Sequence, residues 1–228
     1  MKTAFLAAAL GATFVTLPAT AAQIVPTTYT TVNGQGAASC NCYNYWDKKY
    51  NGAGAQTTTD SALLTGGVGD LTDGIIATTT WDQVENYSGE GPYVGWYNYF
   101  TPNPLVTFNF AHVGSIDTVR IHLDNSNYGG VAGPASILID GMAQNFTNPS
   151  LGTAGFVTLA GLNLTGNIHT VQFQQQSGHW VFVSEVQFLG TLAGSVPEPT
   201  AWAMLVVGLG FVGGSRRWRK RATQAVFA

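Results

Sequence analysis

The sequence predicts an all-β protein, an antiparallel β-sandwich or jelly roll, placed between two targeting segments. Three observations predict this fold class. Apolar and polar residues alternate in several short segments, and Gly, Asn and Pro separate these segments from one another. No part of residues 23–195 has the spacing of a long amphipathic helix. Several short strands spaced in this way are typical of a sandwich.

Six segments have an apolar period of two: residues 105–110, 116–123, 135–140, 156–159, 168–174 and 180–189. In the last of them, one predicted face carries Trp180, Phe182, Val186 and Phe188, with Glu185 and Gln187 on the other. We therefore place the sandwich at residues 60–192. Residues 23–59 are rich in Thr, Asn and Gly, and we expect them to form an irregular N-terminal segment.

Charge is distributed unevenly along the 228 residues. Residues 23–195 carry three Lys or Arg against eleven Asp or Glu, which gives this region a net charge of −8. Such a surface repels phosphates, which excludes a nucleic-acid partner, and attracts divalent cations. The two cysteines, Cys40 and Cys42, are too close to close a sizeable loop, so a local disulfide and two free thiols both stay open.

The N-terminus has the parts of a secretory signal peptide. Lys2 supplies a positive charge, residues 4–17 are apolar, and small residues follow. Residues 1–22 are therefore predicted to direct export, with cleavage after Ala21 or Ala22. A buried N-terminal helix is the alternative, which the shortness of the apolar run disfavours.

The C-terminus predicts a membrane anchor. Residues 193–199 form a proline-containing linker, and an apolar helix with a basic cluster at its end follows at residues 200–221. The basic cluster would hold the tail, residues 222–228, in the cytoplasm. The pattern predicts a single transmembrane helix with the β domain outside.

Three parts follow one another at this end: a Pro-Glu-Pro triplet, a Gly-rich apolar helix and an arginine cluster. Their marker residues are Pro197, Glu198, Pro199, Arg216, Arg217 and Arg219. The arrangement resembles the PEP-CTERM sorting signal of bacteria. The resemblance implies anchoring in the inner membrane, recognition by an exosortase, and a final place at the cell surface or in the extracellular matrix. The tail is longer than is usual for this signal.

The central region also contains an ordered set of motifs. Residues 71–74 read Leu-Thr-Asp-Gly and residues 79–81 read Thr-Thr-Trp, and apolar strands follow at 106–110, 116–123 and 180–188. In this order they resemble the discoidin, or coagulation-factor type C, domain, a galactose-binding-like jelly roll. The resemblance spans residues 60–190 and implies a binding module.

The same resemblance implies a calcium site. Family members often hold calcium where the Asp-Gly turn meets the last strand, and the matching residues are Asp73, Thr79 and Glu185, with Asp70 as a further donor. Calcium prefers six to eight oxygen ligands, which carboxylates, a hydroxyl and loop carbonyls supply. We expect a structural ion. The alternative is a tight turn at Asp73 with Glu185 in solvent.

Two groups of aromatic residues, at positions 43–50 and 93–99, are candidates for a ligand surface. Flat rings stack on the apolar faces of sugars, and packing inside the sandwich is the competing role. The candidate ligand residues are Trp46, Trp96, Tyr97 and Tyr99. Trp81 and Trp180 are expected in the core.

These features predict a non-catalytic carbohydrate-binding protein, for which extracellular polysaccharide is the expected partner. The sequence has no HExxH, GxSxG or nucleophilic Cys pattern, and the pair Asp82 and Glu85 is weak support for a glycosidase. A structural biofilm protein and a secreted glycan-active enzyme are the alternatives, since a fold alone does not define a function.

Overall fold

A computed structural model describes residues 21–36, 43–53 and 56–193, and in this part of the chain two antiparallel sheets pack face to face. In chain order the elements are β1 (Ala22–Ile24), β2 (Thr28–Val32), β3 (Leu63–Gly67), α1 (Trp81–Val84), β4 (Val94–Tyr97), β5 (Leu105–Asn109), β6 (Val113–Asn125), β7 (Ser136–Ile139), β8 (Met142–Ala143), β9 (Thr153–Leu164), β10 (Ile168–Gln174) and β11 (Trp180–Leu192).

The sheets have five and six strands. The first has the order β1-β11-β6-β9, and β4 also pairs with β11, on the edge where β1 lies. The second has the order β3-β2-β5-β10-β7-β8. All pairings between these strands are antiparallel, so the predicted antiparallel β-sandwich is confirmed.

The alternating segments of the sequence form the central strands. Strand β10 has the predicted bounds, and β5 buries Val106 and Phe108 while Leu105 stays exposed. Strands β6 and β9 are longer than predicted because their mutual pairing continues along most of both.

The boundary predicted at residue 60 is wrong. Strands β1 and β2 precede it and belong to one sheet each, so the N-terminal segment is part of the sandwich.

The main core lies between the two sheets. Phe108 of β5 and Phe188 of β11 meet across it edge to face, with ring centroids 4.9 Å apart. Val106 and Val186 belong to the same buried cluster. Burying a side chain of this size stabilises the folded state by roughly 1.5–3 kcal/mol. These alternate residues therefore hold the two sheets together.

A β-bulge divides β11 into two parts. The pairing with β6 shifts register between Val183 and Glu185. Val183 belongs to the core between the sheets, as do Val186 and Phe188 beyond the shift, whereas Phe182 belongs to a different cluster. The prediction that Phe182 shares a face with Val186 and Phe188 is therefore wrong. The bulge inserts one extra residue, so the side chains that face the core before it and after it do not follow a single alternation.

A second apolar cluster covers the outer side of this part of β11. Its buried members are Tyr45, Ala77, Tyr93, Val131, Trp180 and Phe182. Several of them come from the connections between strands, so these connections pack onto the five-stranded sheet as a third layer. Trp180 is buried as expected, while Trp81 is only half-buried at the margin of this cluster.

Three predictions concern residues outside the described ranges. Residues 1–20 of the predicted signal peptide, Cys40 with Cys42, and the sorting segment after residue 193 all lie there. In the described part of the chain, no helix is long and apolar enough to cross a membrane. The anchor helix predicted at residues 200–221 is not among the residues to which that finding applies.

Candidate functional site

Two of the four residues predicted to bind calcium form ion pairs with a lysine, and a third lies at the same turn. The Lys49 ammonium lies 3.0 Å from Asp70 Oδ1 and 3.0 Å from Asp73 Oδ2. The side chain of Asp70 is 2% exposed and that of Lys49 is 41% exposed. Glu185 reaches the same turn, since the backbone N–H of Gly74 donates to its Oε2 over 3.2 Å.

The turn at residues 70–74 is fastened to β11. The N–H of Val186 donates to the carbonyl of Leu71 over 2.8 Å, one residue beyond the bulge. Asp73 Oδ1 accepts the N–H of Ile75 over 2.8 Å, which closes the turn on itself. The bulge thus places Glu185 at this turn, which explains how residues 111 positions apart in the chain meet.

Asp47 lies behind Asp70 and completes the group of carboxyls. Its Oδ1 accepts the N–H of Asp70 over 2.8 Å, and its Oδ2 accepts the hydroxyl of Tyr29. Burial, and then the charge of Asp70, raise the pKa of Asp47. Burial raises the pKa of Asp70 as well, although Lys49 opposes this shift. Burial, and then Asp73, raise the pKa of Glu185 to about 7. Ionised carboxylates in such a place need a positive partner.

Thr79 is held elsewhere. Its carbonyl accepts the hydroxyl of Tyr93 over 2.8 Å, and its side chain faces solvent. Among residues 21–36, 43–53 and 56–193, no three His, Cys, Asp or Glu side chains are placed to hold a metal ion. Calcium binding stays a prediction, and it would require Lys49 to leave its place beside Asp70 and Asp73.

The aromatic residues predicted to bind a ligand lie in different environments. Trp96 is fully buried, and its indole N–H donates to the carbonyl of Val32 over 2.8 Å. The prediction for Trp96 is therefore wrong, because β4 directs this side chain into the core. Tyr97 is half-buried and stacks on Trp180 with centroids 5.0 Å apart, whereas Tyr99 is 80% exposed.

Trp46, the fourth of these residues, is half-buried. Its indole N–H donates to Asp60 Oδ1 over 2.7 Å. The hydrogen bond ties the segment after residue 43 to the one before β3. A ring held in this way serves packing, and only its exposed part is open to a ligand.

A row of four rings lies on the outer side of the second cluster. We call Tyr87, Tyr43, Trp81 and Tyr128 the aromatic row. Successive ring centroids are 4.8, 6.1 and 5.9 Å apart in that order. The two end rings are the exposed ones, with Tyr87 at 69% and Tyr128 at 63%. Tyr128 stacks on Trp81 with an angle of 25° between the ring planes, which presents its other face to solvent.

The connection between β6 and β7 positions Tyr128. Asp124 accepts the N–H of Trp81 over 2.7 Å and the N–H of Ser126 over 2.6 Å, so one carboxylate joins α1 to this connection. Gly129 has a φ of +60°, and a Cβ there would come within 2.7 Å of the Trp81 ring. Glycine is therefore required for the backbone to lie on the indole.

Polar groups flank the row. Asp82 is partly exposed, and hydrogen bonds from the Gln83 amide over 2.5 Å and the Thr80 hydroxyl over 2.8 Å lower its pKa. Glu85 is buried and accepts the N–H of Tyr93 over 2.8 Å, and burial raises its pKa to about 8. The two carboxyls therefore lie in different environments, with Glu85 buried and Asp82 partly exposed.

A separate polar pocket of about 430 Å³ opens beside β7. Its lining includes Gln144, Asn148 and Gln176, whose amide N–H groups donate to backbone carbonyls over 2.9, 3.1 and 3.0 Å. Each of these amides has a second N–H and a carbonyl oxygen, so the pocket can offer a ligand both donors and acceptors.

Reasoning from the sequence missed Tyr87 and Tyr128 and assigned Trp81 to the core. Tyr128 carried a usable signal, since a single aromatic residue stands there in a run of Asn and Gly at residues 125–133. Exposed aromatic residues in such connections are disproportionately functional. Tyr87 carried none, because its partner Tyr43 is distant in sequence.

Comparisons with known proteins agree with the architecture. The family model described as discoidin domain-containing receptor 1/2, DS-like domain, matches residues 27–190, and the PEP-CTERM protein-sorting motif matches residues 195–221. Both resemblances drawn from the sequence are confirmed. The sorting motif indicates a protein exported to the cell surface or the extracellular space.

One similar solved structure comes from work on the Streptococcus pneumoniae beta-galactosidase BgaA. It is 14% identical, covers 54% of this chain and 84% of its own, and has a TM-score of 0.39. Among curated proteins, no sequence matches this chain.

Proposed function

The chain belongs to the family of the discoidin domain-containing receptor 1/2 DS-like domain, and from this premise we propose that it is a non-catalytic carbohydrate-binding protein of the bacterial surface. Its sorting motif implies processing by an exosortase, after which the sandwich acts in the extracellular matrix. The expected partner is the extracellular polysaccharide of the producing cell.

One observation carries this proposal: Tyr128 is an exposed ring whose inner face is already stacked on Trp81. A ring fixed in this way loses little conformational freedom when a sugar stacks on its outer face. The ionised Asp82 near Trp81 supplies acceptors for sugar hydroxyls, since ionised carboxylates form the stronger hydrogen bonds. A neutral polysaccharide fits best, because the acidic surface repels an anionic one.

The test is a glycan array probed with the labelled full chain, followed by calorimetric titration with the neutral oligosaccharide that binds best. Tyr128→Ala should weaken this binding about tenfold, because an aromatic contact is worth about 1–1.5 kcal/mol. The melting temperature of the variant should fall by at most a few degrees, since the side chain is exposed and its main contact is the stack on Trp81.

Two further variants serve as matched controls. Tyr99→Ala removes an even more exposed ring outside the aromatic row, and Gln176→Ala alters the polar pocket. Both should bind as the wild type does. Loss of binding in either one, with Tyr128→Ala unaffected, would contradict the assignment to the aromatic row. No binding to any glycan would favour the structural matrix protein, and hydrolysis of the oligosaccharide would favour the enzyme.

A further inference from the structure

The position assigned to calcium from the sequence holds the ammonium group of Lys49. This group contacts Asp70 Oδ1 and Asp73 Oδ2 at equal distances of 3.0 Å. The backbone N–H of Lys49 also donates to Asp70 Oδ2, over 3.4 Å. Lys49 therefore contacts both oxygens of this buried carboxylate, one through its ammonium and one through its backbone N–H.

The remaining carboxylate oxygens are largely engaged by the protein's own donors. Both Asp47 oxygens accept bonds, from the Asp70 N–H and the Tyr29 hydroxyl. Asp73 Oδ1 accepts a backbone N–H, and so does Glu185 Oε2. The ammonium itself contacts two oxygens, one from Asp70 and one from Asp73.

Two carboxylate oxygens match an ammonium group and not a calcium ion. An ammonium has three donors and forms charge-assisted bonds with individual oxygens. Calcium requires six to eight oxygens at 2.3–2.6 Å. Supplying them here would require the ammonium to leave and the turn at residues 70–74 to open, so with Lys49 in place these residues do not fit the ion.

We propose that the Lys49 ammonium serves as a built-in cation in this domain, so that the turn at residues 70–74 is held without a divalent metal ion. Lys49 joins the segment after Tyr43 to this turn, and the turn is joined to β11 through Leu71 and Gly74. One positive charge thus connects three parts of the fold. The inference concerns stability and is independent of sugar binding.

The test compares the melting temperature of the full chain with and without millimolar calcium chloride, at ionic strength matched with sodium chloride. The wild type should show no calcium-dependent shift. Lys49→Met keeps the apolar stem but removes the charge, and should melt roughly 5 °C lower. Calcium should restore part of this loss, because the carboxylates then have no other cation.

Two lysine variants are the controls. Lys49→Arg keeps the positive charge and should stay insensitive to calcium. Lys48→Met removes the neighbouring lysine, whose ion pair with Glu90 is exposed, and should neither melt lower nor respond to calcium. If Lys49→Met does not fold alone, recovery of its native circular dichroism on adding calcium gives the same answer. A wild type stabilised by calcium, or a Lys49→Met variant indifferent to it, would overturn the proposal.

Discussion

Trp96 is the largest of the fully buried side chains in the described part of the chain. Its ring packs in the core, and its one polar atom is satisfied by the carbonyl of Val32. Tyr99, three residues further on, lies almost free in solvent. Two aromatic residues that look alike in the sequence therefore have opposite roles, because only Trp96 lies on the inward face of β4.

Trp96→Ala should lower the free energy of unfolding by about 3–5 kcal/mol, because it removes a buried ring and leaves a cavity. Tyr99→Ala should change it by less than about 0.5 kcal/mol. Urea denaturation of the full chain, followed by tryptophan fluorescence and circular dichroism, measures both. Equal losses in the two variants would show that Tyr99 packs against the domain or that Trp96 does not.

Strand β11 contacts both apolar clusters and the turn at residues 70–74. Its first part pairs with β4 and supports the second cluster, and its last part pairs with β1 and closes the core. Between them, Ser184 at the bulge accepts the N–H of Ala77 over 3.3 Å and bonds His122 over 2.8 Å. The bulge therefore aligns the strand with both the loop layer and the turn at residues 70–74.

Deletion of Ser184 should be tolerated, whereas deletion of Gln187 should not. Val183 and Glu185 already pair with adjacent residues of β6, so removing Ser184 leaves a regular ladder with the same residues in the core. Deletion of Ser184 should lower the free energy of unfolding by about 2–3 kcal/mol, because the hydrogen bonds of its side chain are lost. Removing Gln187 instead turns Phe188 out of the core.

Circular dichroism and thermal melting of the two deletion variants check this prediction. A folded Gln187 variant together with an unfolded Ser184 variant would mean that the bulge is required for folding and that register further along β11 is not.

The central strands could be predicted from the sequence because half-buried strands alternate in polarity. Strands β1 to β3 could not, since their Thr, Gln and Gly residues give no clear period. The bulge in β11 had no local signal either. The carboxylates named for the candidate calcium site lie at one turn, whereas Lys49 carried no signal in the sequence, because it reaches Asp70 from an irregular segment across 21 positions.

At the scale of the whole molecule, the dominant feature is an acidic domain that buries several of its carboxyl groups. Glu85 has its pKa raised to about 8, first by burial and then by the charge of Asp70, against the effects of the Tyr93 N–H and Lys49. Its Oε2 is buried without a hydrogen-bond partner among the described residues. His122 is shifted the other way, since burial lowers its pKa to about 4.

These shifts act on stability with opposite signs. Native Glu85 retains a proton between its ordinary pKa of 4.5 and about 8, while the unfolded chain has released it, so stability falls as pH rises through this range. The unfolded chain protonates His122 below its ordinary pKa of 6.5, while the native state stays neutral down to about 4, so stability also falls as pH drops through that range. The two effects oppose each other below pH 6.5, and above it only the carboxyl effect operates.

The full chain should therefore be most stable on the acidic side of neutrality, and the ionisation of Glu85 should lower the free energy of unfolding by about 2 kcal/mol between pH 6.5 and 8, in addition to a smaller loss through Glu185. Glu85→Gln should remove most of this loss, because the amide cannot ionise and still accepts the Tyr93 N–H. The variant should match the wild type near pH 5 and exceed it at pH 8. Melting temperatures of the wild type and Glu85→Gln, measured between pH 5 and 8, test this prediction. Parallel profiles for the two proteins would mean that Glu85 is already ionised at neutral pH, and that its burial is balanced by positive charge from Lys49.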